Sequence, residues 1–405
     1  MTPGARLAAA AEVLDQVLQG RSAADRALQS WGRSHRFAGS KDRAAIAERV
    51  YAVLRRLGEC EALAGARDGR ALVLASLAVC DRLPVGEIAA LSTDGAHAPG
   101  ALTRAEESRL AAHVPVPADV LLNVPQWLLP RLRSVFGDSL ENELASLNLR
   151  APLDLRVNTL KASREQVLDE LVGQGLAPEA CERSPDGIRL PAGNDARISA
   201  LACFLEGRVE VQDESSQLAV RFADPLPGQT VVDLASGAGG KALAMAALMQ
   251  DRGRVLACDV SMDRLMALGA RRARSGATII AIAGDPYGER LVQLAAGGAD
   301  LVFVDAPCSG SGTWRRNPEA KWTLDETRLG GYLAAQVQLL DRAASLVADG
   351  GRIVHAVCSV LAEEGPEQAA AFCARHAGWH VSRTLRLSPA STGTDGFFAA
   401  ELRRR

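Results

Sequence analysis

The chain has 405 residues, 48% hydrophobic and 23% charged, which predicts two or three globular domains with ample cores. Its 46 basic and 48 acidic residues give a net charge of −2 and exclude a global positive field. Any nucleic acid must therefore be bound by local patches. The eight cysteines form no C-x-x-C motif, no signal-peptide pattern opens the chain, and the longest apolar run (71–80) is too short for a bilayer. We expect a cytoplasmic protein without membrane contact.

Residues 1 to about 140 are predicted to be helical, because apolar residues such as Leu7, Ala10 and Leu14 recur there at helical spacing. Leu110 to Val114 is a late apolar stretch of this region, which Pro115 and Pro117 are expected to end. Its cationic side chains gather early, at Arg33, His35, Arg36, Lys41, Arg43 and Arg49. A solvated helix face and an RNA-contacting surface both account for that cluster, and the sequence leaves the two open.

From about residue 145 the pattern changes to a β-α-β-β-α-β order. Residues 153–157 alternate like a strand, Ser163 caps a helix with Gln166 as its capping-box partner, and residues 179–190 suggest a hairpin. This order predicts a small split-βαβ sandwich. Such a module suits a nucleic-acid partner but does not prove one.

From about residue 213 onward, strands and helices alternate. The strands are predicted near 230–235, 254–260, 278–284, 300–305, 352–358, 379–385 and 396–402. The first five are nearly continuous apolar runs, which is typical of a parallel sheet covered on both faces.

A glycine-rich turn follows the first of these strands, in T-V-V-D-L-A-S-G-A-G-G-K-A (230–242). Strand, glycine turn and helix form the first half of a nucleotide-binding βαβ unit. Asp259 ends the second strand, where a carboxylate can accept hydrogen bonds from ribose hydroxyls, and Asp285 ends the third, where it could face an adenine amino group. Together these features predict an adenosine-bearing ligand at the carboxyl edge of the sheet.

Two cysteines and an aspartate are expected to converge beside this ligand. Asp305 and Cys308 end the fourth strand, and Cys358 ends the fifth, its expected neighbour. His355 lies three residues before Cys358 on a strand, so the two should face opposite sides, and we expect no metal site.

The segment that follows Cys308 combines aromatic rings with positive charge. R-R-N-P-E-A-K-W (315–322) places three cations between Trp314 and Trp322. That mixture predicts a loop that contacts phosphates and bases. The alternative is a surface loop with incidental arginines.

Two thiols and a carboxylate beside an adenosyl cofactor suit methylation of a pyrimidine ring carbon. Carbon 5 of cytosine is not nucleophilic, but a thiolate that adds to carbon 6 makes it enamine-like, and an acid at nitrogen 3 stabilises the displaced charge. The activated carbon then accepts a methyl group from S-adenosylmethionine, and a base removes the carbon-5 proton. This is covalent catalysis. It needs a thiol of lowered pKa, which Lys241 and a helix N-terminus could provide.

These motifs resemble the Sun/Fmu-type RNA cytosine-5 methyltransferases, in particular the bacterial 16S rRNA branch with a NusB-like N-terminal domain. R-F-A-G-S-K-D-R (36–43) is similar to the NusB-like part, and L-R-V-N-T-L-K-A-S-R-E (155–165) and V-Q-D-E-S-S-Q-L (211–218) to an RRM-like connecting domain. The glycine turn, D-A-P-C-S-G-S-G-T-W, C-S-V-L-A-E-E-G and T-D-G-F-F-A-A-E-L resemble the catalytic core.

The resemblance implies an all-α NusB-like RNA-binding bundle (1–140), a small RRM-like α+β domain (141–215) and an α/β Rossmann-like class I methyltransferase domain (216–405). It implies S-adenosylmethionine as cofactor, 16S rRNA as partner, and a monomer. Cys358 would be the nucleophile, Cys308 would assist release of the covalent adduct, Asp305 would hold nitrogen 3, and Lys241 would border the base. The cofactor would be bound by Asp233, Ala235, Ser236, Gly237, Gly239, Gly240, Lys241, Asp259, Arg264, Asp285 and Asp305.

The chain departs from the family pattern at a few positions. The usual C-A-A-P-G-G-K reads A-S-G-A-G-G-K, so Ala238 replaces a proline, and His355 and Val357 replace an aromatic residue and a threonine. DNA cytosine methyltransferases attack from a Pro-Cys, which would favour Cys308 over Cys358 as the nucleophile. Two other functions stay open: an NAD-dependent oxidoreductase, which leaves both cysteines without a role, and a non-catalytic RNA-binding or assembly factor.

Overall fold

The computed structural model describes residues 1–20, 22–112, 116–193 and 197–405. The predicted end of an apolar stretch at residues 114 and 115 lies outside them. No helix among these residues is both long enough and apolar enough to cross a bilayer.

The described residues form two compact units. One contains Met1–Leu149 and Thr313–Asp325, and the other contains Arg150–Gly312 and Glu326–Arg405. The three-domain division at 1–140, 141–215 and 216–405 stays a prediction.

The first unit is helical, as predicted for residues 1–140. Its helices are α1 (Pro3–Leu18), α2 (Ala24–Ser34), α3 (Ser40–Arg55), α4 (Leu57–Ala64), α5 (Gly69–Val79), α6 (Val85–Ser92), α7 (Arg104–Ala111), α8 (Ala118–Leu121), α9 (Leu129–Phe136) and α10 (Leu140–Leu147), with 3-10 turns at Gln126–Leu128 and Gly137–Ser139. Helix α1 starts at a Thr2 cap with a proline in its first turn, which pre-sets the helical φ angle. Its predicted apolar face, including Leu7 and Leu14, is buried in one core with α3 and α5.

A small antiparallel sheet opens the second unit. Its elements are β1 (Leu153–Val157), α11 (Arg164–Gly173), β2 (Glu179–Ala180), β3 (Gly187–Leu190), a 3-10 turn (Ile198–Ala200), α12 (Ala202–Leu205) and β4 (Val209–Val211). The strand order β2-β3-β1-β4 confirms the predicted split-βαβ arrangement. The predicted capping box is also present. The Gln166 side chain accepts a hydrogen bond from the Ser163 backbone amide, and the Ser163 hydroxyl accepts one from the Gln166 backbone amide.

The large sheet has seven strands, all close to their predicted positions. In chain order the elements are α13 (Glu214–Ala223), β5 (Thr230–Asp233), α14 (Gly240–Leu248), β6 (Arg254–Cys258), α15 (Met262–Ser275), β7 (Ile280–Gly284), α16 (Glu289–Leu294), β8 (Ala299–Asp305), α17 (Ala320–Thr323, in the first unit), α18 (Glu326–Leu346), β9 (Val347–Val357), α19 (Pro366–Arg375), β10 (Trp379–Leu387), α20 (Pro389–Thr392) and β11 (Phe397–Arg404). The order is β10-β11-β9-β8-β5-β6-β7, parallel from β9 to β7, with β11 and β10 antiparallel at one side.

The segment Thr313–Asp325 corrects one prediction. Trp314 and Lys321 are buried, and Lys321 Nζ donates to the backbone carbonyl of Arg55 at 3.3 Å. Trp322 Nε1 donates to a backbone carbonyl of α3 at 2.7 Å. Burial lowers the pKa of Lys321 to about 7. These side chains pack inside the helical unit, so they do not form the predicted loop for phosphates and bases, nor an incidental surface loop.

Candidate active site

The site lies where the order of the parallel strands reverses. The chain runs from β5 through β6 to β7 on one side, and returns to place β8 and β9 on the other. At such a switch point the loops after the strands separate and open a crevice at the carboxyl edge. Asp233 ends β5, Asp305 ends β8 and Cys358 follows β9, so the predicted residues share this edge. The predicted pairing of the fourth and fifth strands is confirmed by the register of β8 with β9.

The glycine turn after β5 has a backbone that only glycine adopts readily. Gly237 and Gly239 have φ angles of +54° and +82°. A Cβ on Gly239 would lie 2.1 Å from Leu268 Cδ1, so a side chain there would displace the buried Leu268. A Cβ on Gly237 would meet nothing within 4 Å. The turn is therefore closely packed on one side and open on the other, which fits a cradle for a ligand.

Two of the predicted cofactor residues hold this turn in place. Asp259 accepts hydrogen bonds from the backbone amides of Gly237 at 2.9 Å and Ser261 at 2.7 Å. The Ser236 hydroxyl donates to the Cys258 carbonyl at 3.0 Å. The structure thus gives both side chains a role in shaping the turn, and the predicted ribose contact of Asp259 stays a prediction.

Asp233 is a buried carboxyl at the base of the crevice. Neither of its oxygens makes a hydrogen bond of ordinary geometry, although the Ala235 amide slightly lowers its pKa. Burial, and then the negative charge of Asp305, raise the pKa of Asp233 to about 8. A buried carboxyl without a partner is costly, and a cationic ligand beside it would remove that cost. S-adenosylmethionine carries such cations, so the residues present fit this cofactor.

Lys241 and Asp305 form an ion pair beside the cysteines. Lys241 Nζ lies 2.6 Å from Asp305 Oδ2 and 5.8 Å from the centre of the Phe397 ring. Burial alone would lower the pKa of Lys241, but the charge and hydrogen bond of Asp305 raise it above its usual value, and the nearby Cys358 adds to this effect. Lys241 is therefore a permanent cation at the site.

The two predicted cysteines meet. Their Sγ atoms lie 3.4 Å apart and both thiols are free and partly exposed. The hydrogen bond with Cys358, together with burial, raises the pKa of the Cys308 thiol well above its ordinary value. Cys308 therefore stays protonated and can donate to the sulfur of Cys358. The remaining cysteines are free as well. Cys60, Cys181, Cys203 and Cys258 are buried, whereas Cys80 and Cys373, whose apolar surroundings in the sequence also predict burial, are partly exposed.

The other predicted cofactor residues are less informative. Asp285 is exposed and accepts from the Tyr287 amide at 2.7 Å, as a turn residue does. Arg264 lies on the exposed part of α15, and Gly240 starts α14 with room for a side chain. Ala235 is half-buried in the turn. Their contacts with a cofactor stay predictions.

Sequence reasoning missed a second set of residues around the cysteines. Glu364 is fully buried and binds the serines that follow Cys308 and Cys358. The segment C-S-V-L-A-E-E-G already contained Glu364, but nothing in the letters alone distinguishes it from the half-buried Glu363 beside it. His355 Nε2 contacts the Glu364 backbone carbonyl at 2.9 Å.

The sheet and the site define a Rossmann-like methyltransferase domain joined to a ferredoxin-like domain. A family model described as 16S rRNA methyltransferase RsmB/F matches residues 220–403, and a model of the RsmF/B-like ferredoxin-like domain matches residues 124–197. The chain belongs to this RsmB/F family of methyltransferases. Its cofactor, as predicted, is S-adenosylmethionine.

Two curated proteins and one solved structure illustrate what this chain is similar to. The probable ribosomal RNA small subunit methyltransferase B of Synechocystis sp. is 33% identical over 301 residues, and that of Bacillus subtilis is 30% identical over 305 residues. Each alignment covers 69% of this chain and 66% of the relative. The crystal structure of PH0851 matches this chain with a TM-score of 0.79 at 25% identity. The superposition covers 100% of this chain and 99% of the PH0851 chain.

Proposed function

We propose that the protein transfers a methyl group from S-adenosylmethionine to carbon 5 of a cytosine in 16S rRNA, through a covalent bond between Cys358 and the base. The observation that carries this proposal is the 3.4 Å contact between Cys308 Sγ and Cys358 Sγ at the switch point, close to the Lys241–Asp305 pair. The rRNA relatives support the substrate class.

Cys358 is the better nucleophile of the two. Because the raised pKa of Cys308 keeps it a thiol, its S–H can stabilise a thiolate on Cys358. The permanent positive charge of Lys241 favours the same thiolate. The Pro-Cys alternative, with Cys308 as the attacking group, requires loss of a proton from a thiol whose pKa is raised.

The remaining steps are the addition of Cys358 to the ring, the methyl transfer and the release of the product. As Cys358 Sγ bonds to carbon 6, nitrogen 3 takes up a proton, and Asp305 would hold that nitrogen. The proton lost by the Cys358 thiol balances this uptake, and Lys241 Nζ, 2.6 Å from Asp305 Oδ2, keeps its own charge throughout. S-adenosylmethionine supplies the methyl group as an electrophile on a sulfonium. After carbon 5 loses its proton to a base, the C6–S bond breaks and Cys308 assists the release of Cys358 as a thiolate.

A pair of cysteine variants tests this assignment. Cys358→Ser should abolish adduct formation and methyl transfer, while Cys308→Ser should accumulate a protein–RNA adduct that survives denaturing electrophoresis. Cys373→Ser is the matched control, because this cysteine lies on α19, and it should behave as the wild type. An adduct trapped in Cys358→Ser would reverse the roles.

The further assignments complete the proposal. The helical unit would be a NusB-like RNA-binding domain, the small sheet an RRM-like module, and the protein a cytoplasmic monomer. Family membership favours a methyltransferase over the NAD-dependent oxidoreductase. Bisulfite sequencing of 16S rRNA incubated with the protein and saturating S-adenosylmethionine decides between an enzyme and a non-catalytic assembly factor, which would leave every cytosine unmodified.

A further inference from the structure

A buried polar cluster lies next to the two cysteines, with Glu364 at its centre. Glu364 Oε1 accepts hydrogen bonds from the Ser309 backbone amide at 2.7 Å and from Gln336 Nε2 at 3.3 Å. Its Oε2 is bonded to the hydroxyls of Ser309 and Ser359, the latter at 2.6 Å. One fully buried carboxyl group therefore satisfies four donors.

The cluster connects the two cysteine loops through a serine in each loop. Ser309 directly follows Cys308, and Ser359 directly follows Cys358, so the same carboxyl group binds both cysteine loops. Ser311 strengthens the link, because its hydroxyl lies 2.8 Å from that of Ser359. The two loops are 50 residues apart in the chain, and the Val360 amide adds a further link by donating to Ser311 Oγ at 3.0 Å.

Glu364 is itself held from two sides. Gln336 of α18 donates to the Pro307 carbonyl at 3.0 Å as well as to Glu364. His355 of β9 lies with Nε2 at 2.9 Å from the Glu364 carbonyl. A carbonyl only accepts, so Nε2 carries the hydrogen. Burial lowers the pKa of His355, which favours the neutral ring.

We propose that Glu364 is a positioning residue that holds the thiols of Cys308 and Cys358 together by clamping the serine that follows each. The proposal rests on the proposed function for its catalytic consequence, but the clamp is a property of the protein alone. Bonds to a carboxylate are the shorter and stronger kind, and they fix both loops at once. This role also accounts for His355 at a position where the family usually has an aromatic residue.

Three variants separate positioning from proton transfer. Glu364→Ala should lower kcat for RNA methylation about 100-fold, the cost of misplacing reacting groups by about 1 Å, while the affinity for S-adenosylmethionine stays within about twofold. Glu364→Gln should retain kcat within about fivefold, since the amide oxygen can face the Ser309 amide and the NH2 group can donate to the serine hydroxyls. Glu367→Ala, on the exposed first turn of α19, is the matched control.

A second readout needs no RNA. Diamide oxidises two neighbouring thiols to a disulfide, with two electrons and two protons passing to its azo group. Mass spectrometry of proteolytic fragments follows the Cys308–Cys358 disulfide over time. Its rate of formation should fall at least about tenfold in Glu364→Ala, because the effective concentration of one thiol at the other depends on their fixed geometry, and it should be unchanged in Glu367→Ala.

The possible outcomes distinguish a failure of the proposed function from a failure of the clamp. If wild-type protein methylates no RNA, the proposed function fails, and the disulfide rate still tests the clamp. A Glu364→Ala protein with wild-type kcat and disulfide rate would overturn it, and so would a Glu364→Gln protein as inactive as Glu364→Ala, since that would assign Glu364 a proton-transfer role. If Glu364→Ala does not fold, the double variant Ser309→Ala/Ser359→Ala removes both hydroxyl partners and should show the same two losses.

Discussion

The unpartnered carboxyl of Asp233 predicts that cofactor binding depends on pH. With a pKa of about 8, Asp233 is mostly protonated in the free protein at pH 7. The charged groups that act on it are Asp305 and Asp259, which favour its neutral form, and Lys241, which favours the carboxylate. A cofactor cation placed beside Asp233 would favour the carboxylate further, so binding should release a proton. The association constant should therefore rise with pH until Asp233 ionises in the free protein.

The size of the effect follows from the fraction of Asp233 that is already ionised. If the bound form stays ionised throughout, raising the pH from about 5.5 to about 7 increases that fraction, and the association constant, about 30-fold, or ~2 kcal/mol. A pKa anywhere between about 7 and 9 gives a ratio between about 16 and 31. At pH 7 roughly 0.9 proton should be released for each cofactor bound.

Isothermal titration with S-adenosylmethionine measures both quantities. Affinities across this pH range give the ratio, and buffers with different ionisation enthalpies give the proton count. Asp233→Asn has nearly the same shape but cannot ionise, so its profile records every other titration, including that of the cofactor amino group. We expect Asn to bind as weakly near pH 7 as the wild type does near pH 5.5. Parallel profiles for the two proteins would refute the reasoning.

Two further predictions concern the ion pairs and the basic cluster. Glu210→Ala would leave the half-buried Arg271 and Arg274 without their carboxylate and should cost about 3 kcal/mol of stability. Calorimetry should show a lower Tm, while Glu206→Ala, at an exposed pair, changes it little. If the early basic cluster contacts RNA, Arg36→Ala/Lys41→Ala should reduce the salt dependence of RNA binding (log K against log salt) by about 1.4, from two lost phosphate contacts. Arg26→Ala/Arg104→Ala is the control, and identical slopes would identify the cluster as a solvated helix face.

The strands, and the meeting of the site residues at one edge of the sheet, could be predicted because both depend on short local sequence patterns. Each buried parallel strand is a short apolar run, and the predicted acidic site residues, such as Asp305, directly follow or end one. Only β9 differs noticeably, beginning at Val347 rather than near 352, because Gly350 and Gly351 interrupt its pattern. Parallel order then brings the strand ends to a common edge, whatever the loops between them do.

The parts that could not be predicted depend on contacts between distant segments. Ser309 and Glu364 are 55 residues apart, and no periodicity links them. The Trp and Lys side chains of residues 313–325 looked like an RNA-binding loop because composition does not distinguish an exposed cation from one whose stem packs in a core. The ammonium of the buried Lys321 is bound by the Arg55 carbonyl at the end of α3 and by the Asn148 side chain, which only the folded chain brings together.

Ala238, where the family usually has a proline, shows how such a distant contact can replace a local constraint. A proline would stiffen the glycine turn by fixing its own φ angle. Here Arg271 of α15 donates from Nη1 to the Ala238 carbonyl at 2.8 Å, and the same guanidinium is paired with Glu210 of β4 at 2.8 Å. The turn is thus held through an ion pair that joins it to the small sheet. Because that pair is mostly buried, its geometry is well fixed, and the turn keeps its shape without the proline ring. Loss of Glu210 should therefore weaken cofactor binding as well as stability, although Glu210 is not a predicted cofactor ligand.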